Sequence, residues 1–172
     1  ALVDAGDLDE CTDVVWGGGE PLMDPNFHEI LDRLLELKTR PRIRIFTNAI
    51  RFDERIAALL NPNTFRVVTS VDAGTQETWA EIRKRSKLDH VLRNLKRYVQ
   101  ADPTAVTIKY IITEGNYSHA ELRAFAKKLA EYDLTKANLQ ISVDFTQERM
   151  SPEQVSAVAI LNAEVHQKGV QR

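Results

Sequence analysis

The stretch that decides the fold is Val14-Val15-Trp16-Gly17-Gly18-Gly19-Glu20-Pro21. An apolar run stops at three glycines, a carboxylate and a proline, and an amphipathic helix follows almost at once. So short and apolar a run reads as a strand covered on both faces. The glycines strip the side chains from the strand end, so the backbone can approach a ligand closely and take up positive φ. Pro21 removes a donor and biases Glu20 toward an extended conformation. The strand end then offers bare carbonyls and one carboxylate, acceptors that suit an ammonium group, whereas a phosphate wants N–H donors. A tight strand-to-helix turn without any ligand is the competing reading at this point.

Working outward, the chain alternates strand and helix. Residues Ala1 to Asp13 are polar and acidic, with Leu2, Val3 and Leu8 as weak helical anchors, and read as a helix end and a loop. Asp24-Pro25 is a helix-start signal, and Phe27, Ile30, Leu31, Leu34 and Leu35 then recur as one apolar stripe. Arg42–Phe46 alternates basic and apolar residues as a second strand, and a short helix over Phe52–Leu60 turns Ile56, Leu59 and Leu60 inward. A third strand covers Phe65–Val71, rich in β-branched bulk. Helical stretches follow over Gln76–Lys84 and from Leu88 to Val99, closed by Asp102-Pro103. The fourth strand is Val106–Thr113; Ser118 with Glu121 then forms a capping box at the head of a helix with Leu122, Phe125, Ala126 and Leu129 inward. Leu139–Phe145 is a fifth strand, and Ser151-Pro152 opens a last helix with Val155, Val158, Ala159 and Leu161 available for burial. The tail after His166 is expected to fray. Five strand–helix units in strict alternation imply an α/β fold with a parallel sheet, either a partial (β/α) barrel or an open doubly wound sheet.

Composition narrows the function classes. The 172 residues form one domain over 1–172, with 43% hydrophobic and 28% charged residues, ordinary for a globular protein. A net charge of −2 argues against a dedicated nucleic-acid binder, and the basic run from Arg83 to Arg97 reads as a solvated helix face, with a contact to RNA or an acidic partner as the competing reading. Apolar runs are too short to span a bilayer and no signal peptide opens the chain, so the expected setting is cytoplasmic and reducing, with no membrane partner. One cysteine, Cys11, excludes an internal disulfide or a cysteine cage made by this chain alone. The four histidines fall on separate helices, so no metal site is expected from them.

Ligands of parallel α/β sheets sit at the carboxyl ends of the strands. Those ends read Gly18-Gly19-Glu20, Thr47-Asn48, Ser70 with Asp72, Thr113-Glu114-Gly115-Asn116, and Asp144. Their order resembles the radical S-adenosylmethionine (radical SAM) family: Gly18-Gly19-Glu20-Pro21 looks like its GGEP motif. Phe46-Thr47-Asn48, Ser70-Val71-Asp72, Gly74-Thr75-Gln76-Glu77-Thr78, Ile82-Arg83-Lys84, Leu88-Asp89-His90-Val91-Leu92, Ile108–Ile112 and Gly115-Asn116 continue the series. The resemblance covers about residues 14 to 145 and rests on joint order and spacing rather than on any single motif.

The resemblance implies a partial (β/α)₆ TIM-like barrel, with five βα units seen here of the family's six. It also implies two cofactors, S-adenosylmethionine and a [4Fe–4S] cluster held by a CxxxCxxC loop that this sequence lacks. The strand without a counterpart is the family's first, which carries that loop. The chain is therefore expected to be a piece of a longer enzyme, inactive alone, whose open sheet edge meets the rest of the parent chain or a second copy. By resemblance, Gly18, Gly19 and Glu20 accept hydrogen bonds from the methionyl ammonium. Ser70 and Asp72 reach the ribose hydroxyls or the methionyl group, and Arg83 pairs with the methionyl carboxylate or is a plain helix cation. Thr47 and Asn48 line the pocket or merely make a turn. Lys109, a charge inside an apolar strand, contacts substrate or the cofactor carboxylate, or points outward at an edge. The intact enzyme is expected to cleave S-adenosylmethionine reductively to a 5′-deoxyadenosyl radical that takes hydrogen from a substrate. The alternative is a degenerate, non-catalytic relative acting as a scaffold. An unrelated α/β lyase or phosphate-binding enzyme would need donors where this chain offers Glu20 and carbonyls.

Overall fold

The computed structural model describes residues 8, 10–84, 87–143 and 149–170. Among them, five strands form one sheet: β1 (Asp13–Trp16), β2 (Arg42–Phe46), β3 (Phe65–Ser70), β4 (Val106–Ile112) and β5 (Asn138–Val143). The helices are α1 (Phe27–Glu36), α2 (Glu54–Leu59), α3 (Gln76–Arg83), α4 (Leu88–Ala101), α5 (His119–Glu131) and α6 (Pro152–Gln167). Every strand pair is parallel and the spatial order is the chain order, β1-β2-β3-β4-β5. This order decides between the two architectures left open by the sequence. A doubly wound sheet reverses its strand order at a switch point. A sheet that never reverses, wound by right-handed crossovers, puts its crossover helices on one face, as a (β/α) barrel does.

The two faces differ accordingly. One carries Ile43, Ile45, Phe65, Val67, Val106, Ile108, Tyr110 and Ile112, all buried in one core with Phe27, Leu31, Leu34, Ile56, Leu92, Leu95, Leu122 and Phe125 from the helices. Trp16 joins it edge-on to Phe27, ring centroids 4.6 Å apart. The other face carries the alternate residues: Val15 on β1, Arg42, Arg44 and Phe46 on β2, Arg66, Val68 and Ser70 on β3, Thr107, Lys109 and Ile111 on β4. It is the inner wall of the partial barrel. Val15 is 59% exposed there, so β1 is covered on one face only and not on both as its apolar run suggested.

Several local expectations are corrected. The helix signalled by Asp24-Pro25 starts at Phe27; Pro21–Met23 forms a 3-10 turn, and the Asp24 carboxylate accepts from Asn26 N at 2.9 Å. Asp53 caps α2, which is shorter than the Phe52–Leu60 expected. Ser118 caps α5 through Glu121 N, yet the Glu121 side chain does not return to close the box. The reciprocal pair forms instead at Ser151 and Gln154. On α6 the buried residues are Gln154, Ala157, Leu161, Glu164 and Val165, while Val155 is 55% exposed. After His166 the chain does not fray at once: Gly169 turns left-handed (φ 72°), Val170 N bonds to Val165 O at 3.1 Å, and Val170 is buried. Leu2, Val3, Asp144 and Phe145 lie outside the described residues.

Candidate functional site

The carboxyl ends of β1 and β2 are joined by one carboxylate. Glu20 leaves the glycine turn in an extended conformation (φ −97°, ψ 109°), and Gly18 before it is left-handed (φ 86°). Glu20 Oε1 accepts from Thr47 Oγ1 at 2.7 Å, and Oε2 accepts from Asn48 N at 2.7 Å. Thr47 Oγ1 in turn accepts from Ala49 N, and Asn48 Oδ1 from Ile50 N, which shapes the turn after β2. Asn94 on α4 holds the same turn from behind through Ala49 O and Ile50 O, at 2.9 and 3.0 Å. Charge-assisted bonds of this kind are short and stiff, so the tips of β1 and β2 move as one.

A second network fixes the tips of β3 and β4. Asp72 is 4% exposed; its Oδ1 accepts from Ile111 N at 2.9 Å and its Oδ2 pairs with Arg83. Burial pushes the Asp72 carboxyl above its ordinary range, against the opposing pull of Arg83, the Ile111 N–H and Lys109. Asn116, fully buried, donates to Asp72 O (2.9 Å) and Ile111 O (2.8 Å) and accepts from Thr113 N (2.8 Å). Glu121, sent away from its own cap, reaches the head of α3. It accepts from Gly74 N, from Thr75 N at 3.0 Å and from Thr75 Oγ1 at 2.9 Å. A carboxylate at the N-cap and the residue before it satisfies backbone donors just ahead of the helix and meets the positive end of its dipole.

Of the nine residues singled out in the sequence, Gly19, Glu20, Thr47, Asn48, Ser70 and Arg83 line one hollow of about 210 Å³, with Phe46 and Val68 as its apolar floor. Gly18 lines the adjoining hollow with Trp16, Gly19, Glu20 and Pro21. Asp72 does not line either: its oxygens face β4 and Arg83. Lys109 is the register partner of Ser70, half-buried on the inner wall. It is not at an edge, since β4 pairs with both β3 and β5. The hollow is smaller than the roughly 300–1,000 Å³ that enclose a drug-sized ligand, so these residues form one wall of a site. Cys11 lies before β1, at the opposite end of that strand, and donates to Asp13 O at 3.0 Å. One cysteine cannot supply three thiolates, so a [4Fe–4S] cluster is not ligated by this chain. The role of Glu121 has no local signal, since the Ser118–Glu121 spacing points to a cap while its partners Gly74 and Thr75 lie 47 and 46 residues away. Asn116 bonds locally to Ile111 and Thr113, and only its link to Asp72, 44 residues away, is invisible in the local sequence.

Residues 2–129 match the model of the radical SAM superfamily. The chain belongs to that superfamily. Among curated relatives, GTP 3′,8-cyclase 2 of Mycobacterium bovis is 31% identical over 116 residues, 66% of this chain and 32% of the relative. GTP 3′,8-cyclase of Synechocystis is 37% identical over 79 residues, 46% of this chain and 24% of the relative. The chain thus spans about a third of the length of the curated relatives it matches. Among solved structures, a domain of pyruvate-formate lyase-activating enzyme from Bacteroides vulgatus superposes at TM-score 0.65 with 19% identity, covering 92% of this chain and 95% of that one. Native anSMEcpe with bound AdoMet gives 0.64 at 18% identity, covering 96% and 49%. Coproporphyrinogen III oxidase from Escherichia coli, itself a radical SAM enzyme, gives 0.67 at 14% identity, covering 93% and 41%. These likenesses show the fold: the five strands are those of the radical SAM partial barrel. The superfamily works with S-adenosylmethionine and a [4Fe–4S] cluster. No helix among the described residues is long and apolar enough to cross a membrane.

Proposed function

We propose that this chain is the S-adenosylmethionine-binding wall of a radical SAM enzyme. The observation that carries the reading is the convergence of Gly19, Glu20, Thr47, Asn48, Ser70 and Arg83 on one hollow at the strand ends. The family's chemistry is reductive cleavage of S-adenosylmethionine to a 5′-deoxyadenosyl radical, and its cluster thiolates must come from outside these residues. What this chain contributes is position. The glycine-turn carbonyls accept the methionyl ammonium, while the Glu20 carboxylate holds those carbonyls against the tip of β2. Ser70 donates to or accepts from a ribose hydroxyl. Arg83 presents the guanidinium N–H groups not turned toward Asp72 and Ser70 O to the methionyl carboxylate. Phe46 and Val68 exclude water below. Asp72, whose oxygens are engaged, acts through Arg83. The outer edge of β1 receives a further strand, from the parent chain or a second copy.

The second reading is a non-catalytic relative serving as a scaffold, in which no part of the protein supplies the cluster thiolates. Anaerobic reconstitution of the longest natural form of the protein with iron and sulfide separates the two, with a 5′-deoxyadenosine assay after dithionite and S-adenosylmethionine. Turnover that falls at least tenfold in Ser70→Ala or Arg83→Ala supports the enzyme. A colourless protein that neither binds S-adenosylmethionine nor forms 5′-deoxyadenosine refutes it.

A further inference from the structure

The inner wall carries an unusual charge pattern below the hollow. In the parallel register Val15 faces Arg44 and Arg44 faces Arg66, so two arginines occupy facing positions on adjacent strands and line the same hollow. Like charges so placed repel each other. Arg42, two residues further down β2, is paired with Asp13 at 2.7 Å. The Nε of Arg66 is fixed on Pro62 O, which aims the rest of its guanidinium. Arg44 makes no ion pair or hydrogen bond with the described residues and interacts with the Asp13 carboxylate only at a distance. The three arginines, with Asp13, Val15 and Thr64, line a hollow of about 170 Å³ at the amino ends of β1, β2 and β3. Three guanidinium groups against one carboxylate leave an excess of two positive charges. The volume suits a group and not a whole ligand.

We propose that Arg44 and Arg66, steadied by the Arg42–Asp13 pair, seat an oxyanion group of the substrate: a phosphate or carboxylate that a planar guanidinium fork binds in two-point fashion. The inference rests on reading the inner wall as the substrate side of a radical SAM barrel. Arg44 lies two residues before Phe46, on the floor of the S-adenosylmethionine hollow, and four before Asn48. At about 3.3 Å per residue, the seat is roughly 7 Å along the strand from that floor and roughly 13 Å from the strand tip. The substrate is therefore an elongated anion, with its reacting C–H near the strand tips and its charged end between these two arginines. Between the seat and the strand tips stand Phe46 and Val68, the floor of the hollow, with Thr107 beside Val68, which suits a mostly apolar or neutral middle.

The test uses the longest natural form of the protein, with pyrophosphate and malonate as separate probes followed by calorimetry, and S-adenosylmethionine affinity measured in the same samples. Tenfold or greater weakening of one probe in Arg44→Gln/Arg66→Gln, with partial recovery in Arg44→Lys and unchanged S-adenosylmethionine affinity, is the expected result. The probe that responds tells phosphate from carboxylate. Arg55→Gln, on the outer face, is the charge control. Equal weakening there, or no probe binding by the parent protein at low salt, overturns the seat. Loss of S-adenosylmethionine binding by the parent protein instead overturns the reading on which the seat rests. Thermal melting of each variant shows that it is folded, and if the double variant is not, the comparison is made on the single variants Arg44→Gln and Arg66→Gln.

Discussion

Gly74→Ala tests the packing behind the site most directly. A methyl group built on Gly74 would lie 2.2 Å from Phe125 N, 2.4 Å from Glu121 O and 2.7 Å from the Ala124 carbonyl carbon. Carbon atoms in contact sit about 3.5–4.0 Å apart, so the shortfall exceeds 1 Å on one side. All three obstacles are α5 backbone, and no rotamer change relieves them. Overpacking of this kind costs about 1–3 kcal/mol. Pushing α5 away also loosens the Glu121 carboxylate from Gly74 N, Thr75 N and Thr75 Oγ1, which adds about 1–3 kcal/mol. The expected loss is about 4 kcal/mol, a large share of a domain stability of roughly 5–15 kcal/mol. In urea, with a slope of about 2 kcal/mol per M, the midpoint should fall by about 2 M. Two other glycines separate crowding from backbone conformation. Gly115→Ala has open space around its methyl and should move the midpoint little. Gly18→Ala also meets nothing, yet its φ of 86° should cost about 1–2 kcal/mol. A Gly74→Ala protein within 1 kcal/mol of the parent refutes the account of how α3 is held on α5.

Asn116→Ala should destabilise by about 3 kcal/mol or more, because Asp72 O, Ile111 O and Thr113 N each lose a partner at roughly 1–3 kcal/mol per buried group. Urea unfolding checks it. Asp72→Asn should cost under about 1 kcal/mol at pH 7, since it removes a buried charge while its amide oxygen still accepts from Ile111 N, and Arg83 is exposed enough to turn to water. Chemical denaturation at pH 7 and again near pH 4 reads both that difference and its sign. The carboxyl is raised by burial, so its ionisation weakens the parent protein as pH climbs above the ordinary aspartate value. The Tyr98 hydroxyl accepts from Asp53 N, and burial pushes its pKa up to about 12. Ultraviolet titration should show Tyr98 ionising near there. The stability it contributes is full below the ordinary tyrosine value near 10 and lost as pH rises through about 12.

Much of the fold is legible in local periodicity. β2 occupies Arg42–Phe46 as its alternation indicates, and the apolar stripe from Leu88 to Val99 lies within α4. The strand ends carrying Glu20, Thr47, Asn48 and Ser70 are legible for a related reason: a parallel sheet places its small polar residues there whatever its topology. What periodicity does not carry is which groups meet across distance. Ser118 with Glu121 and Ser151 with Gln154 have the same spacing. Only the second closes into a reciprocal cap, because Glu121 finds the N–H groups of Gly74 and Thr75 and the Thr75 hydroxyl within reach. Val155 fits a helical apolar face, yet the face of α6 that packs on α5 is the one with Ala157, Leu161 and Val165. Asp72 and Lys109 show the same limit within the site. Their neighbours are set by the β3–β4 register, which no pattern within either strand specifies.

Strand order that equals chain order also bears on how the protein is made. Each strand of this sheet pairs with the one synthesised just before it, so the sheet can grow as the ribosome releases it, always at its newest edge. No pairing has to wait for a distant segment, which keeps loop-closure entropy low at every step. The outer edge of β1 is different: no later strand among the described residues ever covers it. Among the described residues two strand edges are left without a partner, the outer edge of β1 and that of β5, and each offers backbone to another strand.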